Sequence, residues 1–394
     1  MRPLVSSIFV TILVLGHSPP GQAVPYIPKQ DAEILEQLPR SVGGSVAREL
    51  RDLREELALE PNNLGLATRL ARRYIELGRA EADPRYFGYA QAALKTWWDQ
   101  PELPVEVLVL RATLRQNRHE FEAALSDLSK ALAQDPRNAQ AWLTRAVILQ
   151  VQGHYPEALR SCLPLMNLAD PLLAMTCMSG STSLSGQAGK SYELLLETLQ
   201  SSRNASLEVR RWALTLLAEI AARRGDLKAA EQHFKAAFGL GAQDAYLLAA
   251  YADLLLDQGR FEEVEGLLKD AIRIDGLLLR LALAERALGL APFPLHVESL
   301  KARFVASRKR GDTVHQGEEA RFTLHLLKKP RAALQLAQAN WAVQREPRDA
   351  RILLEAALAA HDPQAAKPVL EMLERTAMED VQLRRLAAKF KESP

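Results

Sequence analysis

Residues 142–159 of the 394-residue chain read WLTRAVILQVQGHYPEAL, and their order of apolar, small and glycine positions recurs along the chain. Residues 248–268 repeat that order as LAAYADLLLDQGRFEEVEGLL, with a small residue, a glycine and an aromatic residue at matching places. The landmark alanines Ala112 and Ala146 lie 34 positions apart, and the same spacing separates later copies. A fixed period of this length indicates a repeat architecture.

Each repeated unit predicts a pair of antiparallel helices. Apolar residues at helical spacing form one face of both helices, and small alanines let the backbones approach where the helices cross. A glycine such as Gly153 ends the first helix, because glycine accepts a positive φ. A single hairpin cannot bury its own apolar face, so neighbouring hairpins must stack on one another.

At these positions the chain resembles the tetratricopeptide repeat family, most clearly over residues 105–276. The resemblance implies an all-α fold, an α-solenoid in which antiparallel helix pairs stack into a superhelix. A generic helical bundle, the alternative fold, would not keep a 34-residue period. Aromatic residues make up only 6% of the chain, which also favours helices over strands.

The rest of the chain carries looser copies of the pattern. Residues 46–104 are predicted to form N-terminal helices and an irregular repeat, and residues 277–394 to form degenerate helical repeats with a polar capping helix. One degenerate unit lies inside the regular block, over residues 172–200, with a Ser- and Gly-rich turn predicted from Ser179 to Gly189.

The first 45 residues differ from the repeats. A basic residue at Arg2, an apolar run of about a dozen residues and small residues up to Ala23 are typical of a secretory signal peptide. We expect cleavage after Ala23, which removes residues 1–23 and leaves residues 24–45 as an extended arm. A buried helix or an uncleaved anchor is the alternative, but the run is short for a hydrocarbon core of roughly 30 Å. The mature chain is therefore expected to have no transmembrane segment and to be periplasmic.

Composition and motifs argue against several classes of function. The chain has 50 Lys and Arg against 48 Asp and Glu, and this net charge of +2 is not the strong basic excess of a nucleic-acid binder. Residues 186–191 resemble the end of a phosphate-binding loop, but Leu184 stands where that loop requires glycine. His119 has no second histidine at the spacing of a metal pair. We expect no cofactor, no metal, no nucleic-acid partner and no catalytic residue.

The two cysteines, Cys162 and Cys177, are a candidate disulfide. The resemblance places Cys162 in the second helix of one repeat and Cys177 in the first helix of the next, and these helices pack antiparallel. An oxidising compartment would permit the bond. The alternative is two separate buried thiols.

The resemblance also implies a concave groove, lined by the first helix of each repeat, in which a peptide or protein binds. The predicted groove residues are Thr113, Gln116, Asn117, Gln150, Trp212, Glu219, Arg223, Tyr246 and Asp253. Aromatic residues and amides make good interface anchors, although Trp212 and Tyr246 could instead pack between repeats. Thr113 and Val147 stand where some family members have asparagines that clamp a C-terminal carboxylate, so that mode is not expected here.

These observations lead to three hypotheses. The first is a non-enzymatic periplasmic scaffold or adaptor that binds a protein or peptide in its groove, in the assembly of an envelope or exported complex. The second is a permanent subunit of an envelope assembly, which should expose a large apolar patch. The third is a regulatory partner of an envelope enzyme. The sequence leaves the partner and the oligomeric state open.

Overall fold

The structure, a computed structural model, describes residues 30, 44–81, 83–241, 244–309 and 314–390. The chain divides into two compact units, Met1–Glu49 and Leu50–Pro394. Gln30 and residues 44–49 are the described part of the first unit. The predicted signal peptide, residues 1–23, lies outside the described residues, as does most of the predicted arm, residues 24–45.

All regular structure in the described ranges is helical, which confirms the predicted all-α fold. The N-terminal helices are α1 (Ser45–Leu59), α2 (Leu64–Glu81) and α3 (Arg85–Ala93). The middle helices are α4 (Val105–Asn117), α5 (Phe121–Gln134), α6 (Ala139–Val151), α7 (Tyr155–Cys162), α8 (Leu165–Leu168), α9 (Pro171–Thr182), α10 (Ala188–Ser201), α11 (Leu207–Arg224), α12 (Leu227–Phe238), α13 (Ala245–Asp257) and α14 (Phe261–Leu268). The C-terminal helices are α15 (Asp275–Leu288), α16 (Phe293–Lys309), α17 (Gln316–His325), α18 (Pro330–Val343), α19 (Pro347–Ala359), α20 (Pro363–Thr376) and α21 (Val381–Lys389).

Helix pairs in the second unit stack through their first helices. We call α2, α4, α6, α9, α11, α13, α15, α17, α19 and α21 the first-helix row, because each of them contacts the next along the chain. Helices far apart in the row also contact each other, since α2 contacts α13 and α21 contacts α11. The C-terminal helices therefore lie against the middle repeats, and this return positions the candidate site.

The landmark residues of the repeat have the structural roles that the sequence predicts. Ala146 and Ala252 are buried almost completely where helices cross. Gly153 and Gly259 end α6 and α13 with φ values of +78° and +70°. In the unit that begins with α4, His119 takes this position with a φ of +58°, so a non-glycine residue occupies the same turn.

The predicted turn from Ser179 to Gly189 is wrong at both ends. α9 continues to Thr182 and α10 begins at Ala188, so the turn is confined to residues 183–187. Hydroxyl groups are tolerated inside the helix because they donate to carbonyls one turn back, as Thr182 does to Met178 at 3.0 Å. Gly180 packs closely on Gln150, since a Cβ at that position would lie 2.6 Å from the side-chain oxygen of Gln150 and would displace the end of that side chain.

Candidate functional site

Helices of the first-helix row line two adjoining cavities in the second unit. The first cavity has a volume of about 1750 Å³ and is lined by residues of α2, α4, α6, α9, α11 and α13 and by the start of α15. The second cavity, of about 480 Å³, is lined by α11 and α13 and by residues of α17, α19 and α21. The cavities meet at eight residues that line both, namely Gln150, Gly180, Leu216, Glu219, Tyr246, Val314, His315 and Glu346.

Seven of the nine predicted groove residues line one of these cavities. They are Asn117 and Trp212 in the first cavity, Gln150, Glu219 and Tyr246 in both, and Arg223 and Asp253 in the second. Most of the residues that the resemblance places in a groove therefore line a cavity, but the resemblance does not tell which of them already have partners within the chain.

Thr113 and Gln116 do not line either cavity. Thr113 is buried, and its hydroxyl donates to the carbonyl of Val109 at 2.9 Å. Its prediction as a groove contact was wrong because α4 packs against α2, α5 and α6 and buries this side of the helix. Gln116 precedes the cavity-lining Asn117 by one residue, which turns its side chain about 100° around the helix.

Tyr246 presents an exposed aromatic ring at the junction of the cavities. It lies in the first turn of α13 and is 49% exposed, and its hydroxyl donates to Glu219 Oε1 at 2.6 Å. Burial among the surrounding helices raises the pKa of Tyr246, and the negative charges of Glu219 and Glu346 raise it further. Burial also raises the pKa of Glu219, although Arg223 and the bond from Tyr246 act in the opposite direction. The tyrosine side chain therefore lies between helices, and about half of its surface remains accessible.

Trp212 packs beside the disulfide. Cys162 at the end of α7 and Cys177 in α9 are bonded, with their Cα atoms 5.7 Å apart. Both cysteines belong to a small buried cluster with Ala146 and Leu165, and the half-buried indole of Trp212 lies against that cluster. Trp212 thus both packs between repeats and lines the first cavity.

The second cavity is crossed by ion pairs between α13 and the helices that follow. Asp253 accepts from Arg280 of α15 at 2.6 Å and from Arg321 of α17 at 2.7 Å. Arg280, whose side chain is 3% exposed, also contacts Glu318 at 3.1 Å. Burial alone would raise the pKa of Asp253, but the charges and hydrogen bonds of the two arginines outweigh it and hold the pKa well below its usual range.

A second set of ion pairs joins the end of α13 to α19 and α21. Arg351 of α19 donates to both carboxylate oxygens of Asp257, at 2.9 and 2.8 Å, and to Glu355 at 2.8 Å. Gln382 of α21 donates to Asp257 at 2.7 Å. Burial alone would raise the pKa of Glu355, but the bond from His325 and the charge and bond of Arg351 lower it to about 2.

Sequence reasoning did not predict Arg280, Arg321 and Arg351, which form the ion pairs of the second cavity. Arg321 and Arg351 reach α13 across 68 and 94 residues of sequence. They lie in the degenerate C-terminal repeats, where charged residues have the spacing of an ordinary solvated helix face. To predict them from the sequence, one would have to know that helices far apart in the first-helix row contact each other.

Among the described residues, no group of three or more His, Cys, Asp and Glu side chains is arranged to hold a metal ion. Within the same part of the chain, no helix is both long and apolar enough to cross a membrane.

Residues 128–160, from the second half of α5 to α7, match the family model described as tetratricopeptide repeat. The chain contains a tetratricopeptide repeat. The match covers one of the repeats that the 34-residue period marks, with Gly153 and Tyr155 at its helix turn. No curated protein matches the chain in sequence.

Solved structures with helical repeats resemble the chain at low identity. The human IFIT1 dimer with m7Gppp-AAAA is 14% identical, with a TM-score of 0.46, over 88% of this chain and 86% of that chain. A tetratricopeptide repeat protein from Parabacteroides merdae is 12% identical, with a TM-score of 0.33, over 87% of this chain and 99% of that one. A chain of the APC/C hetero-tetramer Cut9-Hcn1 is 17% identical, with a TM-score of 0.39, over 79% of this chain, which spans about half (52%) of its length. No function is carried over from these structures.

Proposed function

We propose that the chain is a non-enzymatic scaffold or adaptor that binds a segment of another protein in the first cavity. The observation that carries this proposal is the half-exposed ring of Tyr246 on the wall of a cavity of about 1750 Å³. Pockets for small molecules usually measure about 300 to 1,000 Å³, so this cavity favours a stretch of polypeptide.

The lining of the first cavity supplies the contacts that such a segment needs. Trp212 and Tyr246 offer aromatic surface, and residues of this type dominate the binding energy of many interfaces. Asn117 donates one N–H to the carbonyl of Thr113 at 2.8 Å and, as a primary amide, keeps further hydrogen-bonding capacity for a peptide backbone. Gln150 provides a second amide at the junction of the cavities.

We further propose that this binding takes place in the periplasm, in the assembly of an envelope or exported complex. The predicted signal peptide motivates this location, and the disulfide between Cys162 and Cys177 is compatible with an oxidising compartment. The ion pairs of the second cavity argue for a scaffold rather than an enzyme, because Asp253, Asp257 and Glu355 are each bonded to arginines of this chain.

A permanent subunit of an envelope assembly is the second candidate. The observation that favours it is an apolar pair next to the disulfide, Leu163 and Met166, which are 52% and 54% exposed. Such a subunit would stay bound during purification, and Leu163→Ser with Met166→Ser would release its partner.

Affinity capture from a periplasmic extract tests the proposal. We expect Tyr246→Ala and Trp212→Ala to lose the captured protein, while Tyr89→Ala keeps it. Tyr89 is a matched control because it is 52% exposed but does not line either cavity. Equal capture by all four proteins would show that the cavity is not the binding site, and loss only in the Leu163 and Met166 variant would favour the permanent subunit.

A further inference from the structure

Carboxylates gather around the exposed ring of Tyr246. Glu219 and Glu346 line both cavities beside it, and Glu219 accepts the 2.6 Å hydrogen bond from the tyrosine hydroxyl. Glu346 is also close enough to raise the pKa values of both Tyr246 and Glu219 through its charge. Two acidic groups therefore lie near Tyr246 at the point where the cavities meet.

The charge of the first cavity extends this local pattern. Seven aspartates and glutamates line it, against four arginines and one histidine, and no lysine does. Arg348 donates to Glu346 at 2.6 Å and Arg223 acts on Glu219 through its charge, but both arginines line the second cavity and not the first. A ligand that enters through the first cavity thus meets the ring and the carboxylates without first meeting these two arginines.

We infer that the first cavity binds a lysine or arginine side chain of the captured polypeptide, held over the Tyr246 ring between Glu219 and Glu346. A cation over a tyrosine face is attracted by the ring quadrupole, and the attraction grows when both groups are withdrawn from water. The carboxylates supply charge-assisted hydrogen bonds to the same cation. This inference rests on the proposed function and narrows its ligand to a basic segment.

The two cavities differ in how their carboxylates are paired. Arginines of this chain contact Asp253 and Asp257 in the second cavity, and Arg348 contacts Glu346 at 2.6 Å, whereas the hydrogen bond described for Glu219 comes from Tyr246. At Tyr246 the described residues supply Glu219 as hydrogen-bond acceptor and no cationic group over the ring, while elsewhere arginines lie over Trp98, Trp142 and Tyr192. A cationic side chain from a partner would complete an arrangement that the chain completes for itself at those sites.

Selection from a random peptide library displays the preference directly. The folded chain with its disulfide intact is used as bait, in parallel with a Glu219→Gln, Glu346→Gln double variant whose thermal melting is first shown to match the wild type. We expect peptides enriched in one Lys or Arg from the wild type and no such enrichment from the variant. Glu262→Gln, an exposed carboxylate of α14 outside both cavities, is the matched control and should give the wild-type enrichment.

A second measurement leaves the protein unchanged. In the best selected peptide, Lys→norleucine removes the charge and keeps the length, and we expect roughly tenfold weaker binding to the wild type but an equal affinity of both peptides for the double variant. Selected peptides without basic residues, or with acidic ones, would overturn this inference and leave peptide binding standing. Failure to select any peptide would count against the proposed function itself.

Discussion

The two ends of α13 expose the same helix face to different surroundings. Tyr246 in the first turn, Asp253 two turns later and Asp257 one turn beyond lie on one side of the helix, at the spacings that superpose on a helical face. The first is half exposed to a large cavity, whereas the other two are bonded to Arg280, Arg321 and Arg351. We call the end at Tyr246, which a ligand can reach, the open end. We call the end at Asp253 and Asp257, which the C-terminal repeats of the same chain occupy, the closed end.

The difference shows how a helical repeat protein can divide its concave surface. Ion pairs to α15, α17 and α19 fix the distance between the middle and C-terminal parts of the first-helix row. A row fixed in this way keeps the first cavity at a defined width before a ligand arrives, which lowers the conformational entropy lost on binding. The closed end of α13 therefore positions the open end.

The largest expected effect comes from removing the carboxylate at the centre of the closed end. Asp253→Ala removes the carboxylate that Arg280 and Arg321 share and leaves the buried Arg280 with Glu318 as its remaining partner, and we expect the free energy of unfolding to fall by about 3 to 5 kcal/mol. The lower value is the better expectation because the Asp253 side chain is 27% exposed. Urea unfolding measures the loss.

Two control variants show whether that loss belongs to the contact between distant helices. Asp127→Ala breaks a buried pair inside the hairpin of α4 and α5, where Asp127 contacts Arg111 at 2.7 Å, and it should cost a similar amount. Only Asp253→Ala should increase hydrogen exchange in α17. Glu298→Ala, in an exposed 3.4 Å pair with Lys301, should cost less than about 1 kcal/mol. Equal exchange in α17 for both aspartate variants would contradict the role given to the closed end.

The next prediction concerns the disulfide, which lies beside the first cavity. Reduction of the bond between Cys162 and Cys177, which closes a loop of 15 residues, should lower the free energy of unfolding by about 3 kcal/mol. Because Cys177 lines the first cavity, hydrogen exchange should increase in α9 and not in α19. Urea unfolding with and without a thiol reductant measures the change. A Cys162→Ala, Cys177→Ala variant should not respond to the reductant, and a response there would assign the effect elsewhere.

Acid should weaken the closed end in a defined pH range. The pKa of Glu355 is lowered to about 2 in the folded chain, so the folded state favours the charged carboxylate. That stabilisation is complete above the ordinary pKa of glutamate, about 4.3, and is lost as the pH falls through the folded value. Between pH 6 and pH 3 we expect a loss of about 2 kcal/mol from this group.

Glu355→Gln should flatten that part of the pH profile in urea unfolding. Glu371→Gln is the control, because Glu371 is an exposed glutamate whose contact with Lys367 measures 3.8 Å. If the wild type and Glu355→Gln lose stability equally between pH 6 and pH 3, the ion pairs with His325 and Arg351 do not stabilise the folded chain.

The open end of α13 could be predicted from sequence, and the closed end could not. A 34-residue period with Ala146, Gly153 and Tyr155 at fixed places marks the helix pairs, and the family resemblance implies that the first helix of each pair faces inward, which is where Tyr246 and Trp212 lie on the cavity wall. The pattern is local, since each repeat contacts its neighbours. The repeat pattern therefore does not specify which distant helices of the first-helix row contact each other.

Residues whose roles depend on those contacts were missed or misjudged. Asp253 was predicted to contact a ligand and instead bonds two arginines of its own chain. Arg351 lies 94 positions from its partner, and no spacing in the sequence marks the pair. The prediction of a turn over residues 179–189 failed for a local reason. Ser and Gly usually mark loops, but here they lie in α9 and allow it to pack closely on Gln150.

The smallest expected effect tests the turn that ends α13. Gly259 has a φ of +70°, and Gly259→Ala should cost about 1 kcal/mol of the free energy of unfolding, because an L-residue is strained in that region. The cost stays small because the nearest atom to a Cβ there, on Phe261, is 3.9 Å away, and because His119 adopts the same conformation in the α4 unit. Gly266→Ala, inside α14 with open space around it, should instead stabilise the chain by roughly 0.5 kcal/mol.

A double-mutant cycle then connects this turn to the closed end. Ion pairs at Asp257 hold the last turn of α13 in place, so the helix cannot unwind to relieve the strain at position 259. In an Asp257→Asn background, where the charge that pairs with Arg351 is gone, we expect Gly259→Ala to cost measurably less than in the wild type. Equal costs in the two backgrounds would mean that the ion pairs do not restrain the end of α13, and the two ends of this helix would then differ in charge but not in rigidity.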